Sequence, residues 1–215
     1  MKTLNNNSIA ILLCGLLCLQ SLTGCHNQPA TKAQAVPGII VVGIDRSGST
    51  DAVRAEQLDA LDSISDSCAI NNIPLQVWVF DHKAVCVWET RVPLSRQELN
   101  AIKQRELVPH KTLSLDGTRP ALLLERIAGD YHFLHAQNPL VLLLSDGDSE
   151  DANDTPQFHK VAVKLGERSD LTLAVLGIRP ASRSLWEQGF ASRLKNRLYL
   201  LDAAQSRSGL NDILR

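Results

Sequence analysis

Residues Ile39 to Ile44 form a nearly continuous apolar run, interrupted only by Gly43, that stops on Asp45-Arg46-Ser47-Gly48-Ser49-Thr50. A short apolar run rich in β-branched residues and bounded by turn residues predicts a strand buried on both faces, as in a parallel sheet. Periodicity alone leaves a buried helix segment open. An Asp and two Ser at alternate positions just past the carboxyl end of such a strand make a polar loop whose oxygens can converge on one point. Hard cations require such a point. The pattern recurs at Leu140 to Ser145, where a second apolar run stops on Asp146-Gly147-Asp148-Ser149.

Between and after these runs, strand and helix patterns alternate. A helix capped by Ser49 or Thr50 carries Leu58, Leu61, Ile64 and Cys68 on one stripe and ends near Asn71-Asn72. Leu75 to Phe80 and Ala84 to Glu89, joined by Asp81-His82-Lys83, read as a hairpin, which makes the second of them an antiparallel edge strand. Trp78 and Trp88 fall in this hairpin as core or cover. Residues 95 to 106 form a charged amphipathic helix whose Ser95 and Glu98 have capping-box spacing, whereas residues 108 to 117 show no period. Pro120 suits the first turn of an apolar helix, placing Thr118 at its entrance. Helices over 155–168, 184–194 and 205–214 alternate with strands over 171–178 and 197–201. The expected fold is α/β: a doubly wound, mostly parallel central sheet with one antiparallel edge strand and helices on both faces.

Length and composition fit one such domain: 215 residues, 44% of them apolar and 21% charged. A net charge of −1 without a basic cluster argues against nucleic acid as a partner. At the N-terminus, Ile9 to Leu22 is apolar but shorter than the roughly 20 residues of a membrane span, and reads as a secretory h-region. The following Leu22-Thr23-Gly24-Cys25 resembles the bacterial lipobox. That resemblance implies residues 1–24 as a signal peptide, a lipid on Cys25, residues 25–36 as a flexible tether and residues 37–215 as the folded domain. It also implies a periplasm-facing location in the bacterial envelope, with His26 in place of Asp favouring the outer membrane. Cys68 and Cys86 are then the thiols left to the mature domain in an oxidising compartment, either as a disulfide or as two buried thiols.

In open α/β sheets, ligands bind beyond the carboxyl ends of the strands where strand order reverses. If the strands ending at Asp45 and Asp146 are neighbours, Asp45, Ser47, Ser49, Thr118 and Asp146 share one crevice suited to a divalent cation. The set Asp45-x-Ser47-x-Ser49, Gly117-Thr118 and Asp146-Gly147, in this order, resembles the von Willebrand factor type A (VWA) domain and its metal-ion-dependent adhesion site. The resemblance spans Pro37 to Arg215 and implies a Rossmann-like VWA fold holding Mg²⁺, or Mn²⁺ or Ca²⁺. Ser47 and Ser49 would then contact the metal directly, Thr118 directly or through water, and Asp45 and Asp146 mostly through water. A protein partner's carboxylate would complete the coordination, in a binding module that is not an enzyme.

Two alternatives remain at this point. Asp45 followed by hydroxyls also resembles the nucleophile of Mg²⁺-dependent phosphatases of the haloacid dehalogenase type, although Ser47 stands where their second Asp belongs and no matching Lys is evident. A metal-free scaffold lipoprotein is the other. Arg46 would either steer an acidic ligand or point to solvent, and Asp148, Glu150 and Asp151 add negative charge beside Asp146. His132 and His135 lack further zinc ligands, and neither a Walker loop nor a hydrolase triad occurs.

Overall fold

The computed structural model of the chain describes residues 36–90, 94–107, 117–149 and 154–214. The signal segment, Cys25 and the tether up to residue 35 lie outside the described residues, as do residues 108–116 and the acidic Glu150 and Asp151. Among the described residues no helix is long and apolar enough to cross a membrane.

Each run read above as a strand forms one: β1 (Ile40–Asp45), β2 (Leu75–Phe80), β3 (Ala84–Thr90), β4 (Leu140–Leu144), β5 (Thr172–Leu176) and β6 (Leu198–Leu201). They build one six-stranded sheet in the order β3-β2-β1-β4-β5-β6. The β2–β3 pair is antiparallel and the rest are parallel, as the short hairpin requires. The chain runs outward from β1 to β3 and then returns to place β4 on the other side of β1. Strand order therefore reverses between β1 and β4, the pair whose carboxyl ends carry Asp45 and Ser145-Asp146.

Alternate residues of the central strands feed two apolar layers. Ile39, Val41, Val141 and Leu143 pack beneath α3 (Pro120–Gly129), α5 (Asp154–Gly166) and α6 (Pro180–Trp186), with Leu123, Phe158 and Trp186 at their centre. Ile40, Val42, Ile44 and Leu142 pack against α1 (Arg54–Asn71), α2 (Arg96–Ile102) and α7 (Ala203–Ile213). Between α3 and α5 lies the short helix α4 (Tyr131–His135). Gly43 keeps the α3 side of β1 open: a Cβ there would stand 2.4 Å from Leu123 Cδ2 and 2.8 Å from Leu143 Cδ2. Its absence lets α3 lie close over β1, which brings the entrance of α3 to the carboxyl end of the sheet.

The two thiols are free and the sheet separates them, so the disulfide considered from the sequence is not formed. Cys68 is buried in the α1 layer, while Cys86 packs against the opposite one and sits 3.2 Å from the Trp88 carbonyl. Burial pushes the Cys68 thiol up to about 12 and the Cys86 thiol to about 11, so neither is a ready thiolate. The capping box at Ser95 and Glu98 forms as its spacing requires, after which α2 loosens into a π turn at Lys103–Leu107.

Candidate metal centre

The loop after β1 is shaped by its own polar side chains. Asp45 is fully buried; its Oδ1 accepts the Ser47 amide at 2.9 Å and its Oδ2 accepts the Ser145 hydroxyl at 2.7 Å. A tight 3₁₀ turn, Gly48–Val53, follows rather than a helix capped in the ordinary way. Thr50 turns its hydroxyl back to the carbonyls of Asp45 and Ser47, at 3.0 and 2.9 Å. Ser47 is the residue preceding that turn, yet its side chain caps nothing; its hydroxyl meets that of Ser49 at 3.0 Å. Two hydroxyls are thereby left side by side and uncommitted to backbone.

The first turn of α1 ties the two strand ends together. Arg54 donates to the Asp45 carbonyl at 2.5 Å and to Gln57 Oε1 at 2.8 Å, and Gln57 Nε2 donates to the Leu144 carbonyl at 2.8 Å. On the β2 side, the Arg46 amide donates to the Phe80 carbonyl and the Arg119 amide to the Asp81 carbonyl. These bonds bring the loop after β1 and the entrance of α3, with Thr118, to the same end of β2. Arg46 neither steers a ligand freely nor points to solvent: its guanidinium is paired with Asp81 at 3.0 Å and Glu106 at 3.4 Å.

Past β4, Gly147 adopts φ +78°, and its carbonyl accepts the Trp186 indole at 2.9 Å. The turn aims Asp146 inward, with its side chain almost fully covered. Arg179, which precedes α6, brings its guanidinium within 3.2 Å of Asp146 Oδ2, although the alignment is not that of a hydrogen bond and leaves that oxygen without a donor.

The structure thus places all five expected residues at the carboxyl end of the central strands. Asp45, Ser47 and Ser49 share one turn, Asp146 follows the neighbouring strand, and Thr118 opens α3 over β1 and β2. Burial raises the Asp45 carboxyl to about 6, the hydrogen bonds from Ser145 and Ser47 opposing it and the nearby Asp146 charge adding to it. Among the described residues, two buried side-chain oxygens have no hydrogen-bond partner, Thr118 Oγ1 and Asp146 Oδ2. Buried polar atoms are rarely left so, and oxygens in this state are the kind a bound cation takes up. Two carboxylates and three hydroxyls, with no nitrogen or sulfur donor, suit a hard divalent ion. Among the described residues no cluster of three His, Cys, Asp or Glu offers another metal site.

Sequence reasoning missed Ser145, Arg54, Gln57 and Arg179. The signal for Ser145 was its register: Ile44 pairs with Leu144, so the next residues, Asp45 and Ser145, stand side by side.

No protein-family profile matches the chain, and no curated protein matches it in sequence. Solved structures do share its architecture. The von Willebrand factor type A protein from Catenulispora acidiphila is 18% identical with a TM-score of 0.56, covering 83% of this chain and 42% of that one. The SpRpn10 VWA domain is 11% identical with a TM-score of 0.58, covering 83% and 95%. The chain has the VWA fold.

The VWA fold here comprises a smaller unit than some of its neighbours: the chain spans 47% of proximal thread matrix protein 1 from the mussel byssus, at 16% identity and a TM-score of 0.52. That mussel structure has a zinc-occupied adhesion-site motif. The five residues gathered above the β1–β4 switch are those that the sequence resemblance assigns to a motif of that kind.

Proposed function

We propose that this VWA domain is a non-enzymatic, divalent-cation-dependent protein-binding module, anchored through a lipid on Cys25 to a bacterial envelope membrane, the outer one in preference to the inner. The observation that carries the reading is the pair of buried oxygens without a hydrogen-bond partner, Thr118 Oγ1 and Asp146 Oδ2, at the same strand end as the facing Ser47 and Ser49 hydroxyls. Mg²⁺ is the preferred ion because the donors are all oxygen and partly hydroxyl, with Mn²⁺ and Ca²⁺ as substitutes. When bound, the cation would supply a positive centre able to take a carboxylate from a partner protein. Ser47, Ser49, Thr118, Asp45 and Asp146 would hold it.

A phosphatase reading finds less support. A nucleophilic carboxylate needs an oxygen free to attack, whereas both Asp45 oxygens accept hydrogen bonds and the side chain is fully buried.

Titrating the purified full-length protein with Mg²⁺ or Mn²⁺ tests the reading. Binding is expected in the wild type and lost in Asp45→Ala and, with less risk to the fold, in Ser47→Ala. Equal binding in all three would refute the assignment, and EDTA-insensitive capture of an envelope partner would favour the metal-free scaffold instead.

A further inference from the structure

The Arg179 side chain belongs to no motif, yet it makes three contacts at the rim of the site. Its Nη2 lies 3.2 Å from Asp146 Oδ2 and 3.2 Å from the Ser49 carbonyl, and its Nη1 lies 2.8 Å from Asp148 Oδ2. The backbone is equally committed, since the Arg179 amide donates to the Asp146 carbonyl at 2.8 Å. Asp148 is held in turn by the Ser182 hydroxyl. A single planar cation therefore spans the turn after β4 and the turn after β1, which together carry four of the five candidate metal ligands.

We infer that Arg179 is a tethered counter-cation that competes with the divalent ion for Asp146, holding Ser49 and Asp146 together until metal displaces it. The inference rests on the metal-site reading above. Its physical basis is direct. A guanidinium is a permanent, delocalised positive charge with donors in a planar fork. Asp146 Oδ2 faces this cation without the alignment of a hydrogen bond. The pairing thus offsets the buried charge while leaving the oxygen's lone pairs open to a better-placed cation. A divalent ion near Asp146 and the guanidinium within about 4 Å of each other would repel strongly in a partly buried site, so both cannot share the oxygen.

Competition makes a linked pair of predictions. In the metal-free protein, Arg179→Gln strips a buried carboxylate of its counter-charge and releases Ser49, so the melting temperature falls. The same change removes the competitor, so Mg²⁺ binds roughly 5-fold tighter or more. By linkage the two effects cancel at saturation, and variant and wild type then melt together.

The experiment is calorimetric Mg²⁺ titration and thermal melting, with and without saturating Mg²⁺, of full-length wild type, Arg179→Gln, Arg179→Lys and Ser47→Ala. Arg179→Lys keeps the charge but not the fork that also reaches Ser49 and Asp148, and is expected to bind Mg²⁺ less tightly than Arg179→Gln. Tighter binding in Arg179→Gln with a melting deficit confined to the metal-free state supports the inference, as does binding seen only in that variant. Unchanged or weaker affinity in Arg179→Gln, a deficit that persists at saturating Mg²⁺, or Arg179→Lys binding as tightly as Arg179→Gln would overturn it while leaving the metal site intact. Silence from every protein overturns the metal-site reading, and the competition with it.

Discussion

The hydroxyl of Ser145 donates to Oδ2 of Asp45 at 2.7 Å, linking the ends of β1 and β4 across a sequence separation of 100 residues. Both side chains are buried, so the bond satisfies a carboxylate oxygen withdrawn from the surface. Removing the donor leaves that oxygen unsatisfied. Ser145→Ala is expected to lower stability by about 1–3 kcal/mol in urea unfolding. An unchanged midpoint would show that Asp45 finds another donor there.

Thr118 separates binding from folding. Its buried hydroxyl has no partner, so Thr118→Val should leave metal-free stability unchanged or raise it by up to about 1 kcal/mol. The same change removes a candidate ligand. Mg²⁺ affinity should then fall by no less than the roughly 10- to 100-fold that loss of a supporting contact brings. Thr118→Ser should restore it. If Thr118→Val lost stability and kept its affinity, the hydroxyl would be a structural donor instead.

Gly147 holds φ at +78°, and a Cβ there would lie 2.8 Å from Ile178 Cγ1. Backbone strain and a steric clash act together. Gly147→Ala is expected to cost about 1–3 kcal/mol and to weaken Mg²⁺ binding by shifting Asp146. Thermal melting and titration of the same sample measure both.

Asp170 supplies the clearest pH dependence. The side-chain bonds from Arg168, at 3.0 and 2.9 Å, hold its carboxyl below the usual range, helped by the Asn138 amide and opposed by partial burial. The unfolded chain therefore binds more protons in acid than the folded one. Stability from this group is complete above the ordinary Asp value of about 3.9 and is lost as pH falls below it toward the lowered folded value. Asp170→Asn should flatten that acid limb and lower stability at neutral pH by up to about 1 kcal/mol, the pair being partly exposed. Urea midpoints from pH 3 to 7 on both proteins check it; parallel curves would assign the acid limb to other groups.

Much of this was readable from the chain. Apolar runs such as Ile39 to Ile44 and Leu140 to Leu144 specify buried strands because each residue type acts locally, and the Ser95-Glu98 box forms within one helical turn. The hairpin at Asp81-His82-Lys83 forces β3 antiparallel for the same reason. Asp45, Ser47 and Ser49 lie within five residues, so their convergence needed only a tight turn.

Tertiary structure decided the remainder, because it depended on which strands became neighbours and on what faced what. Periodicity could not place Cys68 and Cys86 in opposite layers, since a disulfide is a question of distance in space and both positions sit in apolar stripes. Nor could it pair Arg46 with Asp81 and Glu106, or show Gln57 reaching the carbonyl of Leu144. Arg179 is the sharpest instance: in the sequence it is a charge beside a proline, and only the order β1-β4-β5 brings it over Asp146 and Ser49. Local chemistry supplied the candidate ligands of the site, and the crossing of distant loops supplied the cation already facing them.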